Sequence, residues 1–269
     1  MAATPIGNLG DASPRLVEAL VSARFIAAED TRTLLKLAAA LGVKLNAKLF
    51  SLHEHNEADR IGGLLEIALD NDVLVVSDAG MPTVSDPGYQ LVRAAVAAQI
   101  EVIVIPGPSA ALAALAVSGL ATDRFTFEGF LPRKDGERRR LFEALATEPR
   151  TMIFFESPHR INDSVRIAAE VLGGDRPASV SRELTKKFEQ TIRGNLADLV
   201  DWSETEPKGE LVLVIAGAKP TTTDPAELVD VVLALVADGT GLKQAVAEVA
   251  AANGVSKSNL YQLTLDARG

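Results

Sequence analysis

The sequence predicts an α/β protein, in which two α/β domains meet at a cleft and a small helical tail follows. Three observations support this fold class. Short apolar runs alternate with helical patterns as far as about residue 217, polar loops rich in Gly and Pro follow four of those runs, and helices alone follow a linker. The predicted boundaries are 1–120 and 121–218 for the two α/β domains and 224–269 for the tail.

The apolar runs give the strands of the two domains. In the first domain they predict strands near residues 25–28, 48–52, 73–77 and 102–105, with helical patterns between them. Such alternation is typical of a parallel sheet that helices cover on its faces. In the second domain the runs predict strands near residues 125–129, 151–155, 178–182 and 211–216.

The tail is predicted to contain two helices joined by a tight turn. Asn253 and Gly254 supply the turn, and Ser256 is a good N-cap for the second helix. The pattern resembles a helix-turn-helix. From Asp224 onward the tail has six acidic and three basic residues, which disfavours DNA reading and favours packing against the protein's own core or a dimer partner.

Composition excludes several classes of protein. The 269 residues include no cysteine and three histidines, so disulfides and thiolate metal sites are excluded and a zinc centre is disfavoured. His53 and His55 have a metal-like spacing, but a solvated loop or a substrate contact explains them better, and we predict no metal. The sequence shows neither a signal peptide nor an apolar stretch of about 20 residues, which predicts a cytoplasmic protein without a membrane segment.

Four polar loops are predicted to outline one site, because each directly follows an apolar run. They are residues 29–32, 78–88, 106–110 and 156–160. In open α/β sheets, ligands bind at the carboxyl ends of the strands. The loop 78–88, with the sequence DAGMPTVSDPG, is the most informative, since its glycines and prolines allow backbone to lie close to a ligand.

The charge is unevenly distributed. The net charge of −9 disfavours nonspecific nucleic-acid binding, yet Arg133, Lys134 and residues 138–140 form a basic run after a Gly-Phe-Leu-Pro turn. A solvated helix face and an anionic ligand site both remain open for this run. Lys186, Lys187 and Arg193 form a second, smaller basic group.

Taken in order, eight segments resemble the tetrapyrrole methylase superfamily, and within it the methyltransferases of small-subunit ribosomal RNA. The segments are residues 3–11, 28–32, 77–88, 105–110, 129–134, 155–160, 181–186 and 209–213. The resemblance implies S-adenosylmethionine as the methyl donor, bound between the two domains, and a homodimer. It implies as acceptor the ribose 2′-hydroxyl of a cytidine in the decoding centre of 16S rRNA, within the small ribosomal subunit.

The resemblance also implies the residues that contact the cofactor. They are Ile6, Asp78, Ala79, Gly80, Pro82, Val84, Ser109, Ala110, Leu184 and Glu210. Members of the family enter the Ala-Thr-Pro motif through an apolar strand of several residues, of which this sequence contains Met1 and Ala2. The first strand is therefore either short, or it starts upstream.

A ribose hydroxyl is a weak acid, so a proton acceptor should help the transfer. The candidate catalytic residues at strand ends are Asp30, Glu156 and His159; His159 is alternatively a helix-start residue, and Glu156 alternatively pairs with an arginine. The candidate RNA contacts are Arg133, Lys134, Arg138, Arg139, Arg140 and Arg160. The alternative functions are a tetrapyrrole methyltransferase of the same fold and a non-catalytic ribosome-binding regulator.

Overall fold

The structure is a computed structural model that describes residues 1–53, 55–205, 207–219 and 224–268. The chain folds into two compact units, Met1–Ala218 and Lys219–Gly269. Glu54, which stands between His53 and His55, most of the predicted linker (220–223) and residue 269 lie outside the described residues. No helix in the described parts of the chain is long and apolar enough to cross a membrane.

The first unit contains two sheets and eight of the described helices. The strands are β1 (Phe25–Ala28), β2 (Lys48–Ser51), β3 (Val73–Val76), β4 (Phe125–Phe130), β5 (Thr151–Glu156), β6 (Pro177–Arg182), β7 (Gln190–Asn195) and β8 (Leu211–Ile215). The helices are α1 (Pro14–Ser22), α2 (Thr31–Ala40), α3 (Glu57–Ala68), α4 (Tyr89–Ala97), α5 (Ala110–Ser118), α6 (Asp135–Ala144), α7 (Ile161–Leu172) and α8 (Leu196–Ser203).

The first sheet is parallel, with the strand order β2-β1-β3. Leu16 and Leu34 of α1 and α2 pack with Ile26 on one side, and Leu64 and Leu91 of α3 and α4 pack with the other face. Burial of both faces explains why the strands are short continuous apolar runs. The first residues of the chain run beside β3, where Ala2 bridges both Val76 and Ile105.

The strand predicted at residues 102–105 is wrong, because this segment forms only the isolated bridge of Ile105 to Ala2. The Ile103 carbonyl accepts from the Met1 ammonium (3.0 Å), and Ile105 N–H donates to the Met1 carbonyl (2.8 Å). These few contacts with residues 1–3 do not form a ladder, and Ile103 is left 64% exposed. The other predicted strands are present, with ends shifted by at most one residue.

The second sheet is mixed, with the strand order β4-β5-β8-β6-β7, and only its β4–β5 pair is parallel. Helices α6, α7 and α8 cover one face, where Phe142, Val165 and Leu199 are fully buried. Helix α5 covers the other face through Ala114 and Leu115. Because α5 directly follows the loop 106–109 from the first sheet, it joins the two halves of the unit.

The second unit is helical. It contains a short 3-10 helix (Pro225–Leu228), then α9 (Val229–Ala237), α10 (Leu242–Asn253) and α11 (Lys257–Asp266). Its own apolar core includes Val232, Val246 and Leu260, which are fully buried. Gly254, with φ of +65°, ends α10 in the left-handed conformation, and the Ser256 side chain caps α11.

Candidate functional site

A cavity of about 280 Å³ lies between the two sheets of the first unit. It lies at the carboxyl ends of β1, β3, β4 and β5 and at the start of the antiparallel β8. Its lining comes from both halves of the unit and comprises Ile6, Glu29, Asp78, Ala79, Gly80, Met81, Val84, Ser85, Asp86, Ser109, Ala110, Phe130, Phe155, Glu156, Glu210, Leu211 and Val212. Each of the four polar loops predicted from the sequence contributes to this lining: Glu29 comes from the first, Ser109 and Ala110 from the third and Glu156 from the fourth, and the second contributes most of its residues.

A second cavity, of about 380 Å³, lies between β3 and residues 100–105. It is larger, but its lining is mostly apolar and it includes none of the four polar loops. Because specific ligand sites combine an apolar wall with a few convergent polar groups, the smaller cavity is the candidate functional site.

The loop 78–88 forms one wall of the site, and its backbone is tightly held. Gly80 exchanges two backbone hydrogen bonds with Thr4 (2.9 and 3.1 Å), and it has a φ of +82°. Thr83 and Ser85 also have positive φ, which is rare for residues other than glycine and concentrates at functional sites. The buried Glu57 holds the far end of the loop by accepting from the N–H groups of Gly88 and Leu91.

Three carboxylates give this wall a negative field. The Asp78 N–H donates to Glu29 Oε2 (3.1 Å), so the loop after β3 is tied to the end of β1. Burial raises the pKa of Asp86 to about 7, and the charge of the neighbouring Glu29 adds to the shift. Burial also raises the pKa of Glu29 and of Asp78. The wall would therefore favour a cation in the cavity.

The predicted cofactor residues largely converge here. Ile6, Asp78, Ala79, Gly80, Val84, Ser109, Ala110 and Glu210 all line the cavity. Pro82 is buried within the loop and does not line it. Leu184 is 8% exposed and packs with Ile6 in the apolar cluster behind the wall.

Glu156 is the one candidate catalytic residue that lines the cavity, and its carboxylate is fully engaged. Oε1 accepts from Ser157 N–H (2.7 Å) and pairs with Arg160 (2.6 Å), while Oε2 accepts from the Ser164 hydroxyl (2.5 Å). Arg160 also donates to the Leu131 carbonyl (3.3 Å). This buried network fixes the ends of β4 and β5 relative to each other.

Asp30 and His159 do not line the cavity. Asp30 caps α2 and pairs with Arg32 (2.6 Å), and hydrogen bonds from Arg32 lower the pKa of Asp30 to about 2. His159 lies exposed in the turn that precedes α7.

The basic run divides into an exposed part and a buried part. Arg133, Lys134 and Arg140 are exposed, and within the described residues Arg133 and Arg140 have no ion-pair partner. Arg139 pairs with Glu170. Arg138 is 1% exposed and donates to the carbonyls of Pro132 and Arg133 (both 3.2 Å), so it braces the turn.

The second basic group also takes part in local structure. Arg193 donates to the Val117 carbonyl (2.8 Å) at the end of α5, and Lys186 bridges Glu183 (3.0 Å) and Glu210 (3.2 Å) beside the cavity.

Sequence reasoning missed the site roles of Glu29, Asp86, Phe130 and Phe155. A signal was available for three of them, because Glu29 follows β1 and Phe130 and Phe155 stand at or next to the last residues of β4 and β5. The pKa of Asp86 had no such signal, since it depends on burial and on a carboxylate from another loop.

Comparison with known proteins identifies the class of protein to which the chain belongs. A family model described as Tetrapyrrole (Corrin/Porphyrin) Methylases matches residues 1–200, and one described as RsmI C-terminal HTH domain matches residues 222–268. The methyltransferase CobJ has a similar structure with a TM-score of 0.60 and 23% identity, covering 81% of this chain and 92% of its own. Diphthine synthase has the same TM-score with 17% identity, covering 79% and 87%. These likenesses confirm the fold class, two α/β halves with a helical C-terminal region.

Two relatives with higher sequence identity identify the family within this class. "Ribosomal RNA small subunit methyltransferase I" of Mycobacterium tuberculosis (strain CDC 1551 / Oshkosh) is 47% identical, over 100% of this chain and 94% of its own length. The protein of the same name in Escherichia coli O157:H7 is 43% identical, over 99% and 94%. The chain therefore belongs to the ribosomal RNA small subunit methyltransferase I family of tetrapyrrole methylases.

Proposed function

We propose that the protein transfers a methyl group from S-adenosylmethionine to the ribose 2′-hydroxyl of a cytidine in the decoding centre of 16S rRNA. The observation that carries the proposal is the cavity between the two sheets, where most of the cofactor positions implied by the family meet. The names of the relatives support ribosomal RNA as the substrate.

The residues of the cavity fit S-adenosylmethionine. Its volume of about 280 Å³ is close to the lower end of the range for small-molecule sites, about 300 Å³. Glu29, Asp78 and Asp86 would stabilise a cationic ligand, and Gly80 and Ala79 leave backbone accessible beside the apolar Ile6. When bound, the cofactor supplies a methyl group that its sulfonium already activates.

The remaining task of the protein is to hold the acceptor and to receive the hydroxyl proton. The lowered pKa of Asp30 makes it a poor base, and the carboxylate of Glu156 is already engaged by three donors. Asp86 lines the cavity with a pKa near neutrality, which suits a proton acceptor. We rank Asp86 first, His159 second and Asp30 last as the base, and we assign Glu156 to positioning the cleft edge.

The exposed part of the basic run supports an RNA substrate. Arg133 and Lys134 closely follow the end of β4, whose last residue lines the cavity, and Arg140 is exposed on the next helix, α6. Arginine and lysine side chains at such a place can hold phosphates while the cleft receives one nucleotide. Arg138 and Arg160 support this surface from within, and Arg139 is proposed as an outer contact. The homodimer implied by the family stays a prediction, which light scattering of the purified protein tests.

The test is methyl transfer from labelled S-adenosylmethionine to small ribosomal subunits from cells that lack this protein. We expect label on one cytidine, in the ribose fraction after digestion. Label on a base, or on another nucleotide, would contradict the proposal. No label with calorimetric binding of the cofactor would favour the tetrapyrrole alternative, and no cofactor binding would favour the non-catalytic regulator.

The candidate bases can be ranked in the same assay. We expect Asp86→Asn to lower kcat by roughly 100-fold or more, as loss of a general base does, and Asp30→Asn to have little effect. The exposed Asp123→Asn variant is the matched control. An unchanged kcat in Asp86→Asn would exclude Asp86 as the base.

A further inference from the structure

Phe130 is a large apolar side chain that the fold leaves exposed at the mouth of the cavity. It is the last residue of β4, it lines the cavity, and it is 59% exposed. Only 4% of the chain is aromatic, and most of its strand phenylalanines are buried or half-buried.

A β-bulge sets the direction of this side chain. The register between β4 and β5 shifts between Phe127 and Phe130, and Gly129 inside the bulge has a φ of +71°. Bulges redirect side chains and are frequent beside active sites. The same bulge lies next to the opposite wall, since a Cβ atom at Gly129 would be 3.7 Å from Ser85 Oγ.

A row of aromatic rings holds Phe130 from behind. The Phe130 ring packs edge-to-face on Phe155, with centroids 5.3 Å apart at 64°, and Phe155 packs on Phe127 at 4.9 Å and 68°. Phe127 and Phe155 are partly buried against the apolar cluster of α5 and β8. Phe130 is therefore supported through one edge, while more than half of its surface stays available to a ligand.

The chain that follows Phe130 is basic and fixed. Leu131 is buried, its carbonyl accepts from Arg160, and Arg138 braces the carbonyls of Pro132 and Arg133. Phe130 thus lines a cavity that contains carboxylates, and the braced turn with Arg133 and Lys134 directly follows it in the chain. Unpaired nucleotides are recognised by this combination, in which the base stacks on an aromatic ring and the phosphates meet cations.

We propose that Phe130 is the stacking platform for the nucleobase of the acceptor nucleotide. Stacking on Phe130 would hold an unpaired base at the mouth, with its ribose toward the cavity and its phosphates toward Arg133 and Lys134. The proposal rests on the proposed RNA methyltransferase function and assigns the substrate side of that site. Phe130 is a positioning residue in this scheme, with no part in proton transfer.

The experiment compares Phe130→Leu and Phe130→Trp with wild type in methyl transfer to small ribosomal subunits. We expect Phe130→Leu to lower kcat/KM by roughly 5- to 150-fold, the loss expected for one stacked base. Phe130→Trp should stay near wild type because it keeps a stacking face. Both variants should bind S-adenosylmethionine with a Kd within about twofold of wild type. Phe125→Leu, at the exposed start of the same strand, is the matched control.

An unchanged kcat/KM in Phe130→Leu would overturn the proposal and leave the methyltransferase function standing. A failure of Phe130→Trp to retain activity, or an equal loss of cofactor affinity in Phe130→Leu, would also overturn it. If wild type methylates no RNA, the probe is a short unpaired RNA that carries a fluorescent cytidine analogue. If wild type quenches the fluorescence and Phe130→Leu does not, Phe130 stacks on the base even though no methyl transfer is seen. Equal quenching by both proteins, or no quenching by wild type, would contradict the proposal.

Discussion

At the residue scale, Asp86 links the chemistry of the site to the stability of the fold. Burial and the charge of Glu29 raise its pKa from 3.8 to about 7. The folded state therefore holds a proton that the unfolded state has lost between these pH values. Because the unfolded state then binds fewer protons, the stability that this group contributes falls as the pH rises from about 4 to 7.

We expect Asp86→Asn to remove this pH dependence. The free energy of unfolding of the variant, relative to wild type, should rise by about 1–2 kcal/mol between pH 4 and pH 8, less than full linkage gives because Asp86 is partly exposed and screened. Urea denaturation of both proteins across this range measures the difference. Parallel profiles for wild type and Asp86→Asn would contradict the pKa shift, and Asp123→Asn should follow wild type throughout.

Arg138 and Arg140 are two residues apart on α6, but they have opposite environments. Arg138 is 1% exposed and satisfies two backbone carbonyls, whereas Arg140 is exposed. Arg138→Ala should lower the free energy of unfolding by about 2–4 kcal/mol, since it leaves a void and unpaired carbonyls. Arg140→Ala should change it by less than about 0.5 kcal/mol. Equal stabilities of the two variants in thermal and urea denaturation would contradict a stabilising role of Arg138 in this turn.

At the element scale, the loop 78–88 depends on a carboxylate from α3. Glu57 is 5% exposed, and its Oε1 accepts from Gly88 N–H (3.1 Å) and Leu91 N–H (3.0 Å) at the start of α4. The Glu57 carboxylate caps the N-terminus of α4, because Gly88 at the N-cap position has no side chain that could do so. It also fixes the end of the loop 78–88.

We expect Glu57→Ala to destabilise the protein by about 1–3 kcal/mol, because two buried N–H groups lose their acceptor. The affinity for S-adenosylmethionine should fall as well, since the wall loosens. Glu57→Gln keeps a side-chain oxygen and should lose less than half as much. Denaturation and calorimetric titration of the three proteins check this, and an equal loss in both variants would show that charge, rather than the cap, is the cause.

Elements with a local apolar signal could be predicted from the sequence, and those that depend on distant partners could not. The runs at β1, β3, β5 and β8 carry their own pattern, so their ends are right to within one residue. Strand β7 was missed because Ile192 is its only large apolar residue. The apolar run at 102–105 suggested a strand, but its pairing depends on the first residues of the chain.

In the site, too, some features have a local signal in the sequence and others depend on distant partners. Its loops converge because each follows a strand, which the sequence reveals, whereas the direction of Phe130 depends on a bulge. The burial of Arg138 did have a signal, since Leu141 and Phe142 follow it at helical spacing and Phe142 is fully buried.

At the scale of the whole molecule, the charge distribution matters more than the net charge. The protein carries −9, so a polyanion should be repelled by most of the surface. The exposed cations Arg133 and Lys134 closely follow Phe130, which lines the cavity, and the exposed Arg140 is on the next helix, α6. Within a Debye length of about 8 Å at physiological salt, such a local group can outweigh the distant charges. Such a group would attract RNA toward the cleft.

Binding of RNA through these cations should weaken as the salt concentration rises. Three phosphate contacts to a single strand give a slope of about −2 for log Kobs against log salt concentration. Replacing Arg133, Lys134 and Arg140 together with Ala should flatten that slope by about 2 and weaken binding at low salt. The matched control replaces the exposed Arg15, Lys36 and Lys44 with Ala, which changes the net charge by the same amount on α1, on α2 and in the loop after α2. Filter binding of small subunits over a salt series measures both. Equal effects of the two triple variants would mean that binding follows the net charge. Arg133, Lys134 and Arg140 would then have no special role in binding the RNA.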